Sequence, residues 1–301
     1  MTSKIYSRFA SVGLSTLLVA IASTCVPASA GILTAIASGV AVHAIVKNLD
    51  HAGTSDNAVT GRESSSHVNA TLPAIGNGFT ACSKLFPQNK PLSMDGLNKE
   101  WRPKALCFDD FAVLYSGLSK TPMVTFEMLN KEKLANALDE KRTDNFFPDA
   151  RLSPSERSEL ADYRGSGYDR GHMAPAGDRP TALAMNQSFS LSNMIPQNPV
   201  NNQKIWSKVE SDVRKFGRRA QGNVYVFTGP IFTTVAGQQK TIGRDNVWVP
   251  AQMFKLVFDE ASGRAWAYIV DNTSTAPINA PMDYAHFVQA TGWQLLPNLS
   301  K

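Results

Sequence analysis

Between residues 201 and 220, in NNQKIWSKVESDVRKFGRRA, the apolar side chains Ile205, Trp206, Val209, Val213 and Phe216 recur at helical spacing. A stripe with that period predicts an amphipathic helix. Elsewhere the apolar positions gather in short runs: FAVLYS (111–116), PMVTFEML (122–129), NVYVFTGPIF (223–232), AQMFKLVFD (251–259) and RAWAYIV (264–270). Rich in Val, Phe, Tyr and Ile and too short for helices, these predict strands. MDYAHFVQATG (282–292) predicts a closing helix stopped by Gly292. Strands and helices alternate without a regular βαβ rhythm, and there are no internal repeats. The expectation is an α+β fold built on an antiparallel or mixed sheet.

The pattern also divides the chain. From about residue 76 to Trp293 the composition is globular, enough for one core of about 220 residues. Residues 48–75 are polar, rich in Ser, Thr, Asn and Gly, and read as a linker. Residues 31–46 are mostly apolar. Residues 1–30 carry Lys4 and Arg8, no acid, the apolar run from Leu14 to Ala22, and the ending Ala28-Ser29-Ala30. A basic start, a short apolar centre and an A-x-A site make a secretory signal peptide, which places the protein in a secreted or periplasmic setting. Two competing readings stay open, a membrane anchor and a mitochondrial presequence. The expected division is therefore signal peptide 1–30, apolar segment and linker 31–75, and folded domain 76–301.

Charge and cysteines narrow the setting. The formal charge is +5 and falls to +3 without Lys4 and Arg8, too little for a histone-like coat. Any binding to a polyanion must then come from a local cluster. Beyond the leader only Cys82 and Cys107 remain. An even pair in an exported chain reads as a disulfide, with two buried thiols as the alternative.

Of five histidines, His43, His51 and His67 lie in the apolar leader or the linker, and His286 sits on the last predicted helix. Only His172 is embedded in a dense polar stretch, GSGYDRGHMAPAGD (165–178). A three-histidine zinc site is thereby excluded. Any metal must take oxygen ligands from Asn, Asp or Glu, which favours Mg²⁺ or Mn²⁺. Gly165-Ser166-Gly167 is no G-x-S-x-G elbow, so serine hydrolysis is not supported.

DYRGSGYDRGHMAPAGD (162–178) resembles the signature of the DNA/RNA non-specific endonucleases, whose core is Asp-Arg-Gly-His. SNMIPQNPVNNQKIWSKVE (192–210) resembles that family's second block and YVFTGPIF (225–232) its third. The resemblance runs from about Cys82 to Pro297. It implies a His-Me finger (ββα-metal) fold, in which a β-hairpin delivers the histidine and a following helix delivers the metal ligand. It further implies Mg²⁺-dependent hydrolysis of DNA and RNA to 5′-phosphate products, with Mn²⁺ as a substitute.

The roles follow from chemistry and resemblance together. His172 is the expected general base, since a neutral imidazole accepts a proton near physiological pH. The resemblance assigns the metal to Asn202, with Glu210 acting through metal-bound water. Glu210 lies eight positions on, about 80° around a helix, so both approach one site. Arg214 at i+4 pairs with Glu210 or reaches phosphate. Arg170, two residues before His172, shares its face on a strand. Arg170, Arg214 and Arg142 resemble the family's phosphate-clamping arginines, and Asn193 matches an asparagine near the metal and histidine. Gln197 and Asp169 read as supporting residues. Lys204, Lys208, Lys215, Arg218 and Arg219 make 201–220 strongly basic, which serves either nucleic acid or a solvated face.

DNA and RNA are the implied substrates. A homodimer is possible, no stable membrane partner is expected once the leader is removed, and the sequence identifies no inhibitor protein. The alternatives are a non-catalytic nucleic-acid-binding relative and a phosphodiesterase for smaller substrates. Cleavage after Ala30 predicts a mature chain starting at Gly31. N-terminal sequencing of exported protein that finds Met1 intact favours the anchor instead.

Overall fold

The computed structural model describes residues 72–234 and 238–296. The expected signal peptide, the apolar segment 31–46 and the linker up to residue 71 lie outside the described residues. Among the described residues the strands run β1 (Pro103–Cys107), β2 (Phe111–Ser116), β3 (Thr121–Leu129), β4 (Asp169–His172), β5 (Met194–Gln197) and β6 (Val224–Ile231). They continue with β7 (Thr241–Ile242), β8 (Val247–Trp248), β9 (Gln252–Asp259), β10 (Arg264–Asp271) and β11 (Met282–Asp283). The α-helices are α1 (Lys131–Asn136), α2 (Leu160–Tyr163), α3 (Ala182–Ser188), α4 (Ser207–Gly217) and α5 (Tyr284–Thr291).

Seven strands form one sheet in the order β1-β2-β3-β6-β9-β10-β11, every neighbouring pair antiparallel. β4 pairs only with β5 and forms a separate hairpin. The architecture is α+β, as the pattern predicts.

Strand alternation divides the sheet into two chemically different faces. One face is apolar: Val124 and Phe126 of β3, Phe227 of β6, Phe254 of β9 and Ala267 of β10 pack with Phe79, Phe86 and Phe287. On the other, Thr125 and Glu127 of β3, Thr228 of β6 and Lys255 of β9 are polar and buried. The elements of the candidate site pack over this second face. Beside the polar patch, Val213 of α4 seals against Leu129, Val224, Val226 and Val257, while Val209 joins Trp206, Met253 and Val270. Burying each of these side chains contributes about 1.5–3 kcal/mol.

Three expectations need correction. The basic segment is not one α-helix over 201–220: it opens as a π-helical turn, Asn201–Trp206, and continues as α4 only to Gly217. The cause is a tertiary contact: Asn201 is buried and its Nδ2 donates to Asp271 O at 2.7 Å, which fixes the backbone ahead of the regular helix. Met282 and Asp283 belong to β11, and α5 starts behind them with Asp283 as N-cap, accepting from His286 N–H at 2.9 Å. Gly292 does end it, at φ 73°, the left-handed conformation that favours glycine. The end of the expected linker is docked: Leu72 packs against the core and Pro73 O accepts from Arg151 at 3.1 Å. β1 leaves little signal in the sequence, being five residues long with Pro103 and Lys104 at its outer end and no alternation.

Cys82 and Cys107 form a disulfide with Cα atoms 5.8 Å apart. It clips the 3₁₀ segment Thr80–Leu85, which covers the apolar face, to the end of β1. Closing a loop with a separation of 25 residues contributes about 3–4 kcal/mol in the chain-entropy model. Cys82→Ser should lower the denaturant midpoint accordingly, and added reductant should lower the wild-type protein to the same value. A midpoint insensitive to both would contradict this.

Candidate active site

The hairpin β4–β5 carries the histidine, in register His172↔Met194 and Asp169↔Gln197. Gly165 and Gly167, at φ 68° and 81°, make the turns that lead into it. Gly171 is required for another reason: a Cβ there would fall inside the Gln197 side chain. That side chain donates from Nε2 to Asn201 Oδ1 at 2.8 Å, tying the hairpin to the π turn.

Alternation along β4 puts Arg170 and His172 on one face, and both meet Phe146. The Arg170 guanidinium stands 4.1 Å from the Phe146 ring centroid, and the His172 ring lies 5.8 Å from it. Phe189 meets His172 edge to face at 5.0 Å, and Arg142 lies 5.0 Å from the same Phe189 ring. The histidine is half-buried as a residue, but its Nε2 is sealed from solvent without a hydrogen-bond partner among the described residues. Burial, then Arg142 and Arg179, push its pKa down to about 3. The imidazole is therefore neutral at any physiological pH.

Asp169, on the opposite face of β4, accepts from Asn202 Nδ2 at 3.0 Å and Gln203 Nε2 at 2.8 Å. This fixes the Asn202 amide with its nitrogen on Asp169 and leaves its oxygen for another partner. Because a π turn advances less per residue than an α turn, Asn202 and Glu210 come closer to a common face than 201–220 as a straight helix predicts. A cleft of about 490 Å³ opens here, lined by Arg142, Phe146, Tyr168, Asp169, Arg170 and Asn202.

Glu210 and Arg214 belong to a charge cluster that rests on the polar face of the sheet. Arg214 pairs with Asp178, not with Glu210. Glu210 has no ion pair or side-chain hydrogen bond among the described residues. Burial raises its pKa to about 7, with Lys255 and Arg214 opposing and Asp178 and Glu127 adding to the rise. Next to Asp178, Arg179 has no solvent exposure and binds Glu127, Asp110 and the carbonyl of Pro175. The adjacent pair thus links the two halves: the Arg179 charge acts on His172 and the Asp178 charge on Glu210.

Asn193 immediately precedes β5, whose Met194 pairs with His172. Fully buried, its Nδ2 donates to Ala174 O and Ser188 O and its Oδ1 accepts from Ala174 N–H, each at 2.9 Å. Every polar position of the amide except one lone pair is committed, so it clamps the loop behind His172 and does not reach toward the cleft. Asp178, Arg179, Phe146, Phe189 and Lys255 were not singled out from the sequence. Lys255 did leave a signal, as a lysine in the middle of the apolar run QMFKLVF. His286 is exposed and paired with Asp283 at 2.8 Å, outside the site.

Among the described residues no three His, Cys, Asp or Glu side chains gather to hold a metal. The donors present are an oriented amide oxygen and a half-buried carboxylate with no ion pair among the described residues. That set suits a hard ion that keeps most of its own waters.

A neutral imidazole among arginines, in a fold that also presents oxygen donors suited to a hard cation, fits a hydrolytic nuclease. The family model for DNA/RNA non-specific endonucleases matches residues 88–301, and the chain belongs to that family. It is 33% identical to mitochondrial endonuclease G of Homo sapiens over 209 residues, 64% of this chain and 69% of that one. It is 34% identical to the mitochondrial nuclease EXOG of Homo sapiens over 167 residues, 53% of this chain and 45% of the other. Nuclease C1 of Cunninghamella echinulata var. echinulata is 35% identical over 169 residues, 53% of this chain and 67% of its own. The fold matches EndoG as seen in the EndoG/EndoGI complex, with TM-score 0.56, 28% identity, 66% of this chain and 86% of that one covered. A family of metal-dependent nucleases points to a divalent cation, in agreement with the donor set.

The raised Glu210 gives a test in metal-free protein. Its stabilising contribution is complete below about pH 4.5 and is lost as the pH rises through about 7. His172 has the opposite sign: its contribution is present above about pH 6.5 and is lost as the pH falls toward 3. With EDTA present, Glu210→Gln should therefore gain melting temperature over wild type between pH 5 and pH 8, and divalent cation should shrink that gain. A difference constant with pH would identify Glu210 as an ordinary solvated carboxylate.

Proposed function

We propose that this protein is a Mg²⁺-dependent, sugar-non-specific endonuclease that hydrolyses DNA and RNA to 5′-phosphate products, with His172 as general base. The observation that carries the reading is the imidazole held neutral among arginines, because an anionic phosphate must sit beside a base that stays unprotonated. With Nε2 sealed, Nδ1 of His172 takes the proton of the attacking water. Arg170 and Arg142 hold the phosphate oxygens, their guanidinium groups steadied against Phe146 and Phe189. Arg214, tethered to Asp178, offers its remaining N–H groups to the same anion. Asn202 Oδ1 would hold the metal directly and Glu210 through water, Mn²⁺ serving in place of Mg²⁺. Bound there, the cation supplies positive charge for the phosphate oxygens and the departing 3′ oxygen. Asn193 keeps the loop after His172 in place.

For location, the disulfide supports export to a secreted or periplasmic setting, while the names of human endonuclease G and EXOG support the mitochondrial alternative.

Base and metal ligand separate experimentally. His172→Ala should lose at least 10²–10⁴ in rate with metal and nucleic-acid affinity retained, and added imidazole should restore part of the activity. Asn202→Ala should weaken Mg²⁺ binding, ignore imidazole and recover with more Mg²⁺. Normal cleavage by His172→Ala, or an unchanged Mg²⁺ requirement in Asn202→Ala, would sink the mechanism.

A further inference from the structure

The basic residues of 201–220 do not act as one patch. Lys208 and Lys215 are both spent on Asp212, at 2.8 and 3.4 Å, and Arg214 on Asp178. α4 has two flanks on either side of its buried ridge. With Glu210 as origin, Arg214 lies at about 40°, whereas Asp212 and Phe216 lie at about 200–240°, and Arg219 follows in the turn just beyond the helix. One flank faces the candidate active site. The other forms a wall of a groove of about 710 Å³, whose opposite wall is β10 and the start of β11.

Phe216, Trp266 and Tyr268 give this groove an aromatic floor, with Phe216 and Trp266 edge to face at 4.9 Å. Arg264, Trp266 and Tyr268 alternate onto one face of β10, and the Arg264 guanidinium lies 5.9 Å from the Trp266 ring. Arg219 and Arg264 are exposed and have no ion pair among the described residues. Of the groove's two acids, Asp212 is ion-paired with Lys208 and Lys215, and Asp283 accepts from His286 N–H as the N-cap of α5. Two free guanidinium groups beside half-exposed indole and phenol rings match alternating phosphates and unstacked bases.

We propose that this groove is a second nucleic-acid site, binding an unpaired stretch of polynucleotide with a base on Trp266 and phosphates on Arg219 and Arg264. The proposal rests on the nuclease reading for its ligand class but uses none of the cleft residues. A long single strand gains affinity from it; a substrate with one phosphodiester does not.

The test uses the full-length protein. Fluorescein-labelled dT20 is bound in EDTA and followed by anisotropy, for wild type and for the double variant Arg219→Ser/Arg264→Ser. The variant should bind about tenfold more weakly, with a salt slope smaller by about 1.4, the value for two lost single-strand phosphate contacts. Hydrolysis of thymidine 5′-(p-nitrophenyl phosphate) with Mg²⁺ should be unchanged. Trp266→Phe should bind as wild type, and ultraviolet cross-linking of dT20 should label residues 264–271. Unchanged dT20 affinity and salt slope in the double variant would overturn the proposal. So would a dimer that becomes a monomer with dT20 affinity intact, since the groove would then join two copies. If wild type binds dT20 through the groove yet cleaves no nucleic acid, the nuclease reading fails and the second site stands.

Discussion

A guanidinium shut off from solvent organises this molecule. Arg179 holds the Asp110 carboxylate and carbonyl, the Glu127 carboxylate of β3 and the carbonyl of Pro175, so one side chain joins the sheet to the loop that follows the histidine. Burying such charges is expensive, and removing one partner from a buried pair costs about 3–5 kcal/mol. The arrangement persists because each charge has a partner. It also contributes to the field at the site: burial, then Arg142 and Arg179, keep the imidazole unprotonated, while the neighbouring Asp178 fixes Arg214 and adds to the burial that raises the Glu210 pKa. Fold and site are therefore one electrostatic object.

The central strands β2, β3, β6, β9 and β10 were legible in the sequence because each is a run of apolar residues long enough to span a buried sheet. The hairpin was not legible from periodicity. Asp169–His172 is four residues long and contains two charges and a glycine, and only the Asp-Arg-Gly-His resemblance marks it. The π turn was illegible for a different reason, since it depends on where Asn201 finds Asp271, 70 residues further on.

The candidate residues divide along the same line. Arg142, Arg170 and Asn202 reach one cleft and His172 stands just behind its Phe146 wall. Asn193 instead spends its amide on the backbone of Ala174 and Ser188. Residue type and spacing can nominate an asparagine, but the direction of its amide is decided by loops 19 residues apart. Glu127 and Lys255 sit mid-strand in apolar runs, and only the register that brings Lys255 opposite Thr228 explains them.

The disulfide has a consequence for colloidal behaviour. An open antiparallel sheet offers two edges, each a template for a strand from another molecule. Here β11 closes one side with only two residues. On the other side β1 would expose its outer row, but the segment that Cys82 anchors runs along it, and Gly76 bridges Ala105. The crosslink thus helps hold a guard over the longer edge, a place where such sheets otherwise invite a strand from a neighbour.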